Sequence, residues 1–547
     1  MSASSKKKLR KEQNSVVLTE KQRQEQKEAK KLKAYSITFI AIMLVVVITA
    51  VSVMAVTAFN RSGIMEKNTI AATIGEHKLN SVEMSYYYND VVSGTYNDWY
   101  NSYGENTATY LQMMGLDVTK PLNEQEYMEG GTWADYFVET ALEKAKSDFA
   151  LYDKAMAEGF TLPEEEKTTL DTAIQNMTFY AQLYGYSDVD QYLQNSYSYG
   201  ASEKSYRAYS ERSAIASAYY NAHADSLTYD DAALRDYEAE KFDNYSSFTY
   251  ASYNVNYNNY LEGGTENEDG SVTYSDEEKN AARAAAKAVA DSLATATTVE
   301  ELDAAIAALP VNAEKENAAS TKSVDTLYTG VTEAIRAWLA DDARQPNDIT
   351  VIANESTTTA EDGTETTVVN GYYVVMFQAR NDNTQPLSNV RHLLVQFEKD
   401  EEGNVSDDAK AAAKAEADGY LKTWQDGEAT EESFIALVKE HSDDGSAEDG
   451  GLFEDINPAS SYVPSFLNWS IDANRKTGDA EVIESEYGYH VMYYVGDDEV
   501  NYRDYMITND MKSEAMKAWY DALLEPVTVT EGDTSRLNME MVLSPAS

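Results

Sequence analysis

The chain has 547 residues, with 44 Lys and Arg against 93 Asp and Glu, five His and no Cys. Zero cysteine excludes a disulfide framework, a Cys-ligated zinc site and a thiol nucleophile. A formal charge of −49 argues against a nucleic-acid partner, since phosphate binding needs a basic surface, and the length suits roughly three or four domains.

Charge is unevenly placed. Residues 1–34 hold eleven Lys or Arg and four Glu, whereas the rest of the chain carries a balance of −56. Between these regimes Tyr35–Phe59 runs 25 positions without a charged residue. A helix of that length spans about 37 Å at 1.5 Å per residue, enough for a hydrocarbon core of about 30 Å. The sequence therefore predicts a basic cytoplasmic tail at 1–34 and a transmembrane helix at 35–59. The basic flank precedes the span, which places the remainder outside the cytoplasm, held at the cell membrane. A cleaved signal peptide is the alternative, although its apolar region normally runs only about 7–15 residues.

Residues 66–232 read as a helical domain. Ala71–Leu79 looks like a short strand and turn before a helix at Val82–Val92, and Trp133–Ala157 has apolar residues at helical spacing. Tyr is abundant at 41 residues. Runs such as Met84–Tyr88 and Tyr197–Tyr199 read as helix packing, with adaptable contacts for unfolded chains as the alternative.

Residues 233–496 contain an internal repeat. Glu268-Asp269-Gly270-Ser271-Val272 matches Glu401-Glu402-Gly403-Asn404-Val405, and Ala284–Asp291 matches Ala411–Asp418. Trp338, Asp341, Arg344, Asp348, Val351 and Ile352 recur as Trp469, Asp472, Arg475, Asp479, Val482 and Ile483, at a constant offset of 131. Each copy closes on a strand, Gly371–Val375 and Gly488–Met492. The repeat predicts two related domains, 233–385 and 386–496, each a small sheet with helices packed on it, giving an α+β class. In the second copy the elements fall at Val390–Phe397, Asp407–Trp424, Thr430–Glu440, Val463–Asp472, Ala480–Glu484 and Tyr489–Val495. Thr265–Asp276 reads as a hairpin tip rather than a calcium loop, because its ends lack the expected ligands. Residues 497–547 read as a C-terminal helix followed by an irregular tail over about the last twenty positions.

Three of the five histidines, His392, His441 and His490, lie in the second copy. His392 and His490 sit inside apolar strand patterns that open and close it. The acidic loop His441–Ser446 lies between them in sequence. No pair of these histidines has short ligand spacing, so no metal is expected.

With these elements in order the chain resembles the parvulin-type peptidyl-prolyl isomerases. The likeness rests on Arg391-His392-Leu393-Leu394-Val395, Phe434-x-x-Leu437-Val438, Ser442–Ala447, Gly450-Gly451-Leu452, Tyr462–Phe466, Thr477-Gly478-Asp479 and Tyr487–Val491. It implies a catalytic network of His392, His490 and Asp444, with Asp443 as the alternative if the loop register slips. It also implies a proline pocket walled by Leu452, Tyr462 and Phe466. The family often reads Gly-Gly-Asp-Leu-Gly where this chain has Gly450-Gly451-Leu452-Phe453-Glu454. No cofactor is expected, because isomerisation breaks no covalent bond.

The first copy carries Tyr373 opposite His490 in the alignment, and about Ala251 opposite His392. It is expected to be a degenerate parvulin-like domain without activity. The anchor and the helical segments resemble exported foldases of the PrsA and SurA type, in which 497–547 would pack with 66–232. The implied function is X–Pro isomerisation during folding of exported polypeptides, which would be the partners. A non-catalytic holdase and an envelope scaffold are the alternatives.

Overall fold

The computed structural model describes residues 20–128, 130–359, 364–400 and 402–543. The expected basic tail lies outside the described residues as far as residue 19, as does Glu401 of the repeat. The chain divides into two units. One comprises residues up to Leu227 together with Met516 onward, and the other runs Thr228–Ala515.

The first unit begins with α1 (Glu20–Arg61), followed by α2 (Ile64–Asn68), β1 (Ile70–Ile74), β2 (His77–Asn80), α3 (Ser81–Tyr103) and α4 (Thr107–Met113). A short ribbon of β3 (Glu126–Tyr127) and β4 (Gly131–Thr132) leads to α5 (Trp133–Ala157), α6 (Glu164–Leu183), α7 (Val189–Ser196) and α8 (Glu203–Ser226). Among the described residues one helix is long and apolar enough to cross a membrane, and its apolar stretch is not buried by the rest of the chain. Asn80 starts α3 with a reciprocal cap: its side chain accepts from the Glu83 N–H at 3.0 Å while Glu83 accepts from the Asn80 N–H at 3.2 Å. Tyr86, Tyr87 and Tyr88 of α3 are all fully buried. The Tyr-rich run is thus core, not a free surface.

The second unit contains α9 (Asp231–Glu240), β5 (Ser247–Asn256), the ribbon β6 (Thr265–Glu266) and β7 (Val272–Thr273), α10 (Asp276–Leu293), α11 (Val299–Ala307), β8 (Thr321–Leu327), α12 (Glu333–Leu339), β9 (Ile349–Thr359) and β10 (Glu365–Asn381). It continues with β11 (Pro386–Gln396), α13 (Asp407–Asp426), α14 (Glu431–His441), β12 (Leu452–Ile456), α15 (Pro464–Ser470), β13 (Ala480–Glu484) and β14 (Gly488–Asn501). Helix α16 (Tyr502–Leu524) and β15 (Val529–Glu531) complete the chain. The tail expected to be irregular therefore supplies a strand: β15 pairs with β1 of the first unit, Ala72 opposite Glu531.

The repeat is visible in the topology. Two four-stranded sheets have the orders β8-β5-β10-β9 and β12-β11-β14-β13, with every pair antiparallel. Their edge strands β8 and β12 were not expected from sequence. Leu-Phe-Glu-Asp-Ile of β12 is short, ends in two acidic residues and an Ile, and shows no alternation to mark it.

The Trp…Asp…Arg…Asp repeat is scaffold. The Arg344 guanidinium lies 4.8 Å over the Trp338 ring, and Arg475 lies 4.2 Å over Trp469. Asp348 caps the Gln345 N–H and Asp479 caps the Lys476 N–H, both at 2.9 Å. The motif thus builds the same turn before β9 and before β13.

Register also corrects one alignment. His392 lies opposite Met492, two positions beyond His490. Val375 holds the corresponding place in β10, and it lies opposite Ser252. The counterpart of His392 is therefore Ser252, not Ala251. A one-residue slip would move the position to the other face of the sheet.

Each face of the second sheet has its own helices. Leu393, Val395, Tyr489, Val491 and Tyr493 pack on α13 and α14 through Ala413, Ala417, Trp424, Phe434 and Val438. Val390, Met492 and Tyr494 face the other way, onto Phe466 and Trp469 of α15. The period of two along β11 and β14 assigns His392 and His490 to this α15 face.

Candidate active site

Leu394 lies opposite His490 and His392 opposite Met492, so the two imidazoles are diagonal neighbours on one face. Their Nδ1 atoms are 3.0 Å apart. Both residues are buried, with 3 % and 5 % exposure.

The acidic loop is pinned along β11. Ser442 Oγ accepts from the Leu394 N–H at 3.1 Å and the Asp444 N–H at 3.2 Å. Asp443 Oδ2 accepts from the Gln396 N–H at 3.0 Å. That engagement turns Asp443 away and leaves Asp444 beside the histidines. Asp444 Oδ1 stands 3.4 Å from His392 Nε2 and accepts from the Ser446 N–H at 2.9 Å and the Ser446 hydroxyl at 2.5 Å. The His392 contact is long for a hydrogen bond, and among the described residues His392 Nε2 has no other partner.

Close approach depends on glycine. Gly451 has φ +67°, and a Cβ there would fall 2.2 Å from the His392 carbonyl oxygen. Its own carbonyl accepts the His392 N–H at 2.9 Å. The Gly450-Gly451 pair thus lays the loop directly on β11.

Electrostatics sort the three groups. The His392 imidazole, helped by the Ser446 donors, holds the Asp444 carboxyl well below the usual carboxylate range despite its burial. Burial pushes the His490 imidazole down to about 4, with His392 adding to the effect and Asp444 opposing it. His490 is therefore neutral near neutral pH. Its Nε2 lies 2.7 Å from Ser485 Oγ. One proton arrangement serves every atom: the Ser485 hydroxyl donates to His490 Nε2, His490 Nδ1–H donates to His392 Nδ1, and His392 Nε2–H points at Asp444.

A cluster of aromatic rings packs beside this relay. His392 meets Phe453 at 5.0 Å and Phe466 at 5.3 Å between ring centroids, both edge-on. Tyr462 meets Phe453 at 5.5 Å and Phe466 at 5.2 Å. Phe466 is buried while Tyr462 is 36 % exposed, so Tyr462 stands at the rim.

The structure brings His392, His490, Asp444, Tyr462 and Phe466 together. It does not bring Leu452. That residue lies opposite Arg391 in the β11–β12 pair, and Phe453 lies opposite Val390. Arg391 and Leu452 share the α14 face, so Phe453 rather than Leu452 lies beside His392. His441 stays outside the group, stacked on Tyr420 at 4.6 Å. Ser485 was also missed. Its signal was present as a Ser inside the tight Glu484–Gly488 hairpin, where side chains lie beside the returning strand.

Two hydrogen-bonded imidazoles and a cluster of aromatic rings thus share one face of a four-stranded antiparallel sheet. Residues 392–496 match the family model described as Rotamase, PPIC-type PPIase domain. The chain therefore carries a parvulin-type peptidyl-prolyl cis–trans isomerase domain. Among solved structures it is similar to PrsA from Bacillus anthracis, at 22 % identity over 26 % of this chain and 59 % of that one, with a TM-score of 0.17. PrsA from Bacillus subtilis follows at 20 % identity, 25 % and 47 % coverage and a TM-score of 0.17. The isomerase ESS1 from Candida albicans gives 17 % identity, 26 % and 95 % coverage and a TM-score of 0.16. The match spans about half the length of the two PrsA chains. No curated protein matches.

Proposed function

We propose that this protein is a membrane-anchored foldase that catalyses X–Pro isomerisation in exported polypeptides at the outer face of the cell membrane. The observation that carries the reading is the Ser485–His490–His392–Asp444 relay beside the Phe453, Tyr462 and Phe466 rings. An X–Pro bond rotates over a barrier of about 18–20 kcal/mol. Lowering it requires a site that fits the twisted amide better than either planar form. The rings take the proline ring. The buried relay presents fixed dipoles in a low-dielectric setting to the imide as it loses its resonance. No covalent bond changes, so the reaction draws on positioning alone.

The first module, 233–385, has the same strand order but carries Ser252 and Tyr373 where the second has His392 and His490. We read it as a non-catalytic parvulin-like module. The basic flank before the apolar span of α1 supports an extracytoplasmic position for both.

The test is proline-peptide isomerisation by the full chain and by its His392→Ala/His490→Ala variant, beside refolding of a proline-limited client. Loss of both activities in the variant supports the reading. Residual peptide turnover would assign activity to the first module. Unchanged client refolding, with no turnover in either form, would make the chain a holdase.

A further inference from the structure

The outer end of α1 does not leave the first unit freely. After Arg61 the chain turns through Gly63, at φ +61°, into α2, and a Cβ on Gly63 would lie 2.2 Å from the Gly200 Cα. Gly63 is buried by this contact. The loop between α7 and α8 is therefore seated against the turn that ends the membrane helix. The loop between α6 and α7 lies close by. Asp188 there accepts from the Gln191 N–H at 2.8 Å and the Ser187 hydroxyl at 2.9 Å. These bonds, with the Arg61 charge adding to them, hold its carboxyl below the usual range.

What surrounds this junction is unusual for so acidic a chain. Thr172–Ser187 has 16 residues without a charge, and Gln191–Ser202 has 12 more. Helix α6 packs one stripe, Ile174, Met177 and Ala181, into the unit. A second stripe near its C-terminus points outward: Phe179 is 62 % exposed, Tyr180 44 %, Leu183 62 % and Tyr184 63 %. Tyr199, Ile64 and Met65 are also exposed, at 47 %, 48 % and 43 %. Aromatic side chains with an apolar body and a polar tip suit the layer where lipid meets water. Carboxylates are disfavoured there beside anionic headgroups; the exposed stripe itself holds none, Asp188 and Asp190 lying beyond its end.

We propose that the C-terminal end of α6, with Tyr199 and the Ile64–Met65 pair, is a second membrane-contact surface that seats the first unit in the lipid headgroup layer beside its anchor. The occupant is the bilayer interface, because the patch is continuous with the end of the span. The inference rests on the anchored reading above.

Because the chain has no cysteine, single labels report cleanly. Full-length Leu183→Cys, Val46→Cys and Glu165→Cys variants would each carry an environment-sensitive fluorophore, in vesicles of phosphatidylcholine and phosphatidylglycerol with nitroxide-bearing lipids. Glu165 is the reference, about 27 Å from Leu183 along α6. Loss of most emission at Leu183 and Val46, with little at Glu165, supports the proposal. Adding Phe179→Glu and Tyr180→Glu should then restore emission at Leu183 but not at Val46. Quenching at Val46 without quenching at Leu183 overturns the contact surface and leaves the anchor standing, with the patch free for a polypeptide. No quenching at either position overturns the anchor as well.

Discussion

Between about pH 7 and pH 4.5 an ordinary histidine gains a proton, while His490 stays neutral in the folded chain. Its ordinary value is 6.5 and burial beside His392 lowers it to about 4. The unfolded state binds more protons over that window, so stability falls as pH falls from 6.5 towards 4. Linkage gives a loss of about 1 kcal/mol by about pH 5.5 and about 2.5 kcal/mol by about pH 4.5. Asp444 adds its own loss only lower, below the ordinary carboxylate range, because its carboxyl is depressed in the folded state. The assay is urea unfolding at a series of pH values, read on β11 and β14 by pulsed hydrogen exchange at one fixed labelling pH. Wild type is compared with His490→Asn, which cannot titrate. The wild-type-minus-variant difference in stability should fall by the stated amount as pH falls. Parallel curves for the two proteins would refute a buried neutral imidazole at this position.

Other outcomes follow from the same geometry. Phe453→Ala should lower kcat/KM for a proline peptide by roughly tenfold, about 1.4 kcal/mol, whereas Leu452→Ala on the other face should leave turnover unchanged. Ser485→Ala removes the donor to His490 Nε2; kcat should drop by about tenfold with KM little changed, while the unfolding midpoint moves by no more than about 1–3 kcal/mol equivalent. Gly451→Ala forces a Cβ into the His392 carbonyl and should cost upwards of about 2 kcal/mol, lowering both the midpoint and activity. Arg475→Ala removes the cation over Trp469; it should cost about 1 kcal/mol in stability and leave turnover of folded protein intact.

Much of the site was readable because it is encoded in local order. His392 and His490 lie in near-continuous apolar strand runs, and the Ser442–Ala447 loop carries capping residues in sequence. The side-chain period of two then fixes which face each histidine takes once the strands are known. Leu452 and Phe453 show the limit of that argument. Adjacent residues on a strand point oppositely, so choosing between them requires β12 to be recognised and its register known. The acidic, non-alternating Leu452–Ile456 stretch announces neither. Ser252 fell to the same problem, since an alignment of weak repeats carries an uncertainty of one residue and one residue reverses the face.

The sequence by itself determined the uncharged span and its basic flank, the duplicated α+β module, and which copy keeps two histidines. These are properties of composition, period and residue order, each set within a short stretch of chain. Only tertiary structure decided that Asp444 rather than Asp443 faces His392, that Phe453 rather than Leu452 lies beside it, that Ser485 ends the relay, and that β15 returns to pair with β1. Each of those depends on hydrogen-bond register between segments far apart in sequence. Register is chosen by the packing of whole sheet faces, and no local pattern specifies it.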